Sequence, residues 1–151
     1  MDPISLIISA LVAGAAAGLK PTAEKVVKDA YEGFKNFLVG RFGKKSNIES
    51  LEEKPQSAGR QATVKEELAE AGADRDAEVM ERAHQLIETI KTHAPADAQA
   101  VGVNLSEVEA EFIKIGKILS SGGGFLGSKL KLKGGLTIDE VQAGGNPPAR
   151  Q

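Results

Sequence analysis

The stretch Ile4–Leu19, ISLIISALVAGAAAGL, holds sixteen residues and no charge, three positions from the start of the chain. Asp2 before it is a good N-cap, Pro3 suits the first helical position because its missing N–H has no partner there anyway, and Ala and Leu then dominate. The stretch therefore reads as a helix. Only Ser5 and Ser9 interrupt its apolar surface, so no face is polar enough to lie against water. Such a helix has to be enclosed by protein, by lipid, or by each in turn.

At 1.5 Å per residue it spans roughly 24 Å, short of the ~30 Å hydrocarbon core of a bilayer, which favours a buried central helix over a permanent membrane span. Gly14-Ala15-Ala16-Ala17-Gly18 adds a GxxxG pattern, two glycines one turn apart that let another backbone come close. A secretory leader is not expected, since Asp2 stands where a positive n-region is required and the next helix begins almost at once. Without cysteine the chain has no disulfide framework and no thiolate chemistry, in keeping with a reducing cytoplasm.

The 151 residues are 41% apolar but only 4% aromatic, so a core has to be built from Ala, Val, Leu and Ile. The net charge of −2 hides an uneven distribution. Residues 1–45 carry seven Lys or Arg against four acids, residues 46–100 six against twelve, and residues 101–151 six against five.

After Pro21 a second helix is expected over Thr22 to about Phe42. Ala23, Val26, Val27, Ala30, Phe34, Phe37 and Leu38 recur at steps of three and four, with Glu24, Lys25, Lys28, Asp29, Glu32 and Lys35 on the other side. Lys20, Lys25, Lys28, Arg41, Lys44 and Lys45 make its flanks basic, which suits an anionic lipid surface as well as a solvated helix face. Residues 43–62 read as a connection with at most a short helix over Ile48–Lys54. Two further helices are expected over Gln61–Ala71 and Asp74–Thr92, with Asp74 as a cap and Val79, Met80, Ala83, Leu86, Ile87 and Ile90 as the buried stripe.

Pro95 is expected to end the helical part, and from Val101 on the texture reads as β. Val108, Ala110 and Phe112 alternate with Glu107, Glu109 and Glu111, Leu130 and Leu132 alternate with lysines, and glycines cluster at 122–124, 134–135 and 144–145. A loose repeat, LSEVEA, IGKILS and IDEVQA, places Ile115, Ile118, Leu130, Leu132, Ile138 and Val141 as candidate self-association residues, in a solenoid-like module or a simple meander. The expected fold is thus α+β: a helical bundle over residues 1–94 around its apolar first helix, a glycine-rich β module over 95–145, and a mobile tail over 146–151.

Catalytic chemistry finds little support. Glu81-Arg82-Ala83-His84 has the Glu-x-x-His spacing of carboxylate-bridged metal bundles, but His93 has Ile90 where the second glutamate belongs, so no metal site is expected and His84 reads as a surface residue paired with Glu81 or Glu88. Gly122–Lys129 ends in Gly-Ser-Lys where a phosphate loop requires Gly-Lys-Ser/Thr. No nucleophile elbow exists, and neither aromatics nor net basicity support nucleic-acid binding. No enzyme activity and no cofactor are expected.

The opening MDPISLIISALVAGAAAG followed by an amphipathic helix resembles the N-termini of the HeLo and HeLo-like cell-death domains and of their bacterial counterparts, the Bell domains, over roughly residues 1–93. The resemblance implies a helical bundle whose glycine-bearing N-terminal segment, here Gly14 and Gly18, is released on activation and disrupts the membrane, commonly beside a C-terminal amyloid-type signalling motif.

The expected function is that of a non-enzymatic defence effector, cytoplasmic at rest and membrane-associated when activated. Its partners would be other copies of itself, an anionic membrane and an upstream signalling protein. The membrane-active segment would comprise Ile4, Leu6, Ile7, Ile8, Leu11, Val12, Gly14, Gly18 and Leu19. The competing expectation is a soluble homo-oligomeric scaffold in which the first helix stays in the core, with a small carboxylate enzyme as a weaker third.

Overall fold

The computed structural model describes residues 1–122, and they are helical. Helix α1, Pro3–Gly18, starts as its sequence dictates: the Asp2 carboxylate accepts a hydrogen bond from the Ser5 N–H at 2.9 Å, and Pro3 occupies the first turn. Helix α2, Lys25–Phe42, ends at Gly43, whose φ of 74° closes the last turn in the left-handed conformation that glycine adopts without steric cost. Helix α3, Lys45–Glu53, is longer than the sequence announced.

Helix α4, Ala58–Glu70, is capped by the Ser57 hydroxyl, which accepts from the Arg60 N–H. A 3-10 turn over Ala73–Arg75 leads into α5, Ala77–His93. The cap of α5 is Asp76 rather than Asp74; its Oδ1 accepts from the N–H groups of Glu78 at 3.0 Å and Val79 at 3.3 Å. Pro95 does not end the helical part but opens a short helix α6, Pro95–Ala100, from its first position.

Helix α7, Leu105–Gly122, overturns the expected β module. Among the described residues there is no strand, and the fold they form is all-α. Glu107, Glu109 and Glu111, read as one wet face of a strand, spiral around a helix, and both LSEVEA and IGKILS lie within it. The physical reason is visible in the segment itself. Asn104 caps it through a 3.0 Å hydrogen bond from the Glu107 N–H, no Gly or Pro interrupts residues 103–115, and Leu105, Val108 and Phe112 are spaced by three and four. The expected strands and repeat beyond residue 122, with the expected tail, lie outside the described residues.

The chain divides into two compact units, Met1–Glu109 and Ala110–Gln151, the boundary falling inside α7. The first unit is a bundle built around α1, which packs against α2, α3, α4, α5, α6 and the 3-10 turn. Leu6, Ile7, Leu11, Ala10 and Ala13 of α1 are completely buried, and Val27, Tyr31, Phe34 and Leu38 of α2 and Leu86, Ile87 and Ile90 of α5 close over them. Val26, expected on the inner face of α2, is instead 45% exposed.

Candidate functional site

The feature that singles out α1 is how closely α2 approaches it at the two glycines. A Cβ on Gly14 would stand 2.6 Å from Cδ1 of Tyr31 and 3.1 Å from Cδ2 of Leu86, and a Cβ on Gly18 3.1 Å from Cβ of Tyr31 and 3.4 Å from the Val27 carbonyl oxygen. The GxxxG face is therefore occupied within the chain: Tyr31 lies across both glycines in the space that side chains would otherwise fill.

Tyr31 is itself anchored from its far end. Its hydroxyl donates to Oε2 of Glu52 on α3 at 2.7 Å, and Lys35, one turn along α2, reaches the same carboxylate at 3.0 Å. Burial, reinforced by the neighbouring Glu52 carboxylate, pushes the Tyr31 hydroxyl far above the usual phenol range, so it remains a donor at any physiological pH. The chain of contacts runs from the α1 glycines through the Tyr31 ring to a half-buried ion pair between α2 and α3.

Of the other residues expected in the membrane-active segment, Ile4, Leu6, Ile7, Ile8, Leu11 and Val12 are buried, while Leu19, just past the helix end, is 44% exposed. No helix of the described residues is long and apolar enough to cross a membrane.

The basic residues expected to face lipid are placed differently from one another. Lys20 pairs with Asp97 of α6 at 2.7 Å, and Lys25 with Asp29 within α2 at 2.8 Å. Arg41 reaches Asp76 at 2.6 Å and Glu78 at 3.0 Å, and Lys44 reaches Glu67 of α4 at 2.8 Å. Arg41 also stacks on the Phe37 ring at 4.6 Å, as does Arg82 at 4.3 Å. Lys28 and Lys45 are exposed, with no ion pair among the described residues. The uneven charge along the sequence is thus largely complementarity in the fold, cations of residues 1–45 meeting acids of residues 46–100. Of the expected self-association residues, Ile115 and Ile118 lie on α7, and Leu130, Leu132, Ile138 and Val141 lie outside the described residues.

His84 is not a simple surface residue. It is half-buried on α5, with Nε2 3.5 Å from Oε2 of Glu88, and Glu109 of α7 lies close by. Burial, against the pull of Glu88 and Glu109, lowers the affinity of its imidazole for a proton. The alternation of Glu109 with apolar neighbours suits a strand as well as a helix, and the Asn104 cap is the local signal that makes the segment helical and brings Glu109 to His84.

The family model of the Het-E N-terminal domain matches residues 1–143. The chain belongs to that family. The Het-E N-terminal domain family is related to the HeLo and Bell cell-death domains, the relationship that the opening segment and its glycines pointed to. No curated protein and no solved structure matches the chain. For this Het-E N-terminal domain the family fits a helical, cell-death-type domain, and the matched residues include those of α7.

Proposed function

We propose that this chain is a non-enzymatic membrane-active effector whose resting bundle stores α1, and that activation moves α1 into an anionic membrane where several copies permeabilise it together. The observation that carries the reading is the occupied GxxxG face: the surface by which apolar helices associate in lipid exists on α1, and Tyr31 covers it. Membership of a family related to cell-death domains supports the same reading.

The energetics constrain the route. Burying a large aliphatic side chain is worth roughly 1.5–3 kcal/mol, and Ile4, Leu6, Ile7, Ile8, Leu11 and Val12 are all buried, so exposing α1 to water would cost on the order of 10 kcal/mol. The helix therefore leaves the bundle only for another apolar environment. A lone helix of this length is short for the bilayer, whereas several together share the thinning of the membrane around them.

Lys20, Arg41 and Lys44 make docking and opening one event. Their acidic partners sit on α4, α5, α6 and the cap of α5, so each lipid phosphate that takes one of these cations also removes a tie between α1 or α2 and the rest of the bundle. At rest the protein is cytoplasmic; other copies and an upstream signalling protein complete the trigger.

The complete enclosure of α1 favours a second reading, a scaffold in which α1 never leaves. The two are separated by a fluorophore on Ser9→Cys, a half-buried α1 position, with vesicles carrying nitroxide-labelled anionic lipid. Quenching by the labelled lipid supports the effector; emission that stays unquenched at saturating vesicle concentration supports the scaffold.

A further inference from the structure

We propose that His84, Glu88 and Glu109 form a binding site for a divalent cation of the zinc class, joining α5 to the first turns of α7. The site is independent of the membrane reading above. His84 and Glu88 are four residues apart and so share a face of α5, and the ligand atoms of all three residues lie within 4.8 Å of one another.

One imidazole nitrogen and two carboxylates make a ligand set of the kind zinc takes, and with arms of about 2.0–2.2 Å a tetrahedron has edges of about 3.3–3.6 Å. The separation of 3.5 Å between His84 Nε2 and Glu88 Oε2 already matches that edge. The Glu109 carboxylate starts within 4.8 Å of both other ligand atoms, and its last side-chain torsion is broad and soft. Glu88 is exposed, which gives the ion a route in and leaves room for water as a further ligand.

A cation already marks the spot. The Lys91 ammonium pairs with Glu109, and Lys91 is itself 47% exposed, free to swing into solvent when a metal arrives. Lys91 therefore competes with the ion and sets its affinity.

The test is titration of the metal-stripped full chain with Co2+, read by the visible bands of four- or five-coordinate cobalt, followed by displacement with Zn2+. Saturation at one ion per chain is expected, with Zn2+ at about a hundred times its Kd raising Tm by about 5–10 °C. Glu88→Gln, at an exposed position that leaves the bundle intact, and Glu109→Gln should each weaken binding at least tenfold, while Lys91→Ala should strengthen it severalfold. Absence of a saturable band, an unchanged Tm in Zn2+, or glutamine variants that bind as the parent does would each overturn the assignment.

Discussion

Tyr31 occupies the volume that a side chain on Gly14 would need: its Cδ1 lies 2.6 Å from the position of the missing Cβ. Real Cβ atoms do not approach a ring carbon so closely, and the ring is fixed on its other side by Glu52. Gly14→Ala gains helix propensity of about 1 kcal/mol, but forcing the helices apart costs typically 1–3 kcal/mol. We expect a net loss of about 1–2 kcal/mol in urea unfolding, and a smaller one for Gly18→Ala, whose Cβ would find 3.1 Å. Equal or increased stability of Gly14→Ala would show that the ring yields.

Removing the Tyr31 hydroxyl separates the ring's packing from its anchor. Tyr31→Phe keeps the contact with the glycines and leaves the half-buried Glu52 with Lys35 as its described partner. The loss should be about 1–2 kcal/mol, since a hydrogen bond to a charged group is stronger than a neutral one. A matched pair of urea titrations measures it.

Asp76 gives the bundle a defined acid dependence. Burial works against its charge but is outweighed by Arg41 and by the amides of Val79 and Glu78, so its carboxyl sits below the usual carboxylate range. A carboxyl held low binds fewer protons folded than unfolded; its stabilisation is complete above about pH 4 and disappears as pH falls through the folded value. Asp76→Ala should therefore cost about 1–2 kcal/mol at pH 7, from the lost cap and the lost pair with Arg41, and progressively less as pH falls below the ordinary carboxylate range, as thermal unfolding across pH would record.

Lys28 and Lys45 are exposed, whereas Lys20, Arg41 and Lys44 are held by acids of the bundle. At about 1 kcal/mol per residue near anionic headgroups, Lys28→Gln/Lys45→Gln should weaken partitioning onto phosphatidylserine vesicles about thirtyfold. The unfolding midpoint should stay unchanged, which sedimentation binding and circular dichroism would establish together.

The parts of this fold that a reader of the sequence recovers are those where one period fits. In α1 the uncharged run, and in α5 the stripe Val79, Ala83, Leu86, Ile87 and Ile90, admit only a helix; Leu6, Ile7, Ala10 and Leu11 of α1 and the whole α5 stripe are buried. In α7 both periods fit for a few residues, because Val108, Ala110 and Phe112 alternate while Leu105, Val108 and Phe112 also keep helical spacing. The glycine clusters downstream favour a β reading. Capping carried the missing information, at Asn104 as at Asp76, where a side chain accepts from an amide two or three residues on. Nor does the sequence reveal which cations are free. Four of the six basic residues expected at lipid are paired, three of them with acids distant in sequence.

Whether α1 must part from α2 is decided most directly by a reversible lock. A Cβ at position 18 stands 3.6 Å from Cα of Lys28, within reach of a disulfide, and the chain has no cysteine to interfere. Gly18→Cys/Lys28→Cys is compared, oxidised and reduced, for dye release from anionic vesicles. The account predicts no release while the bond is closed and full release once dithiothreitol opens it. Equal release from both forms would contradict it.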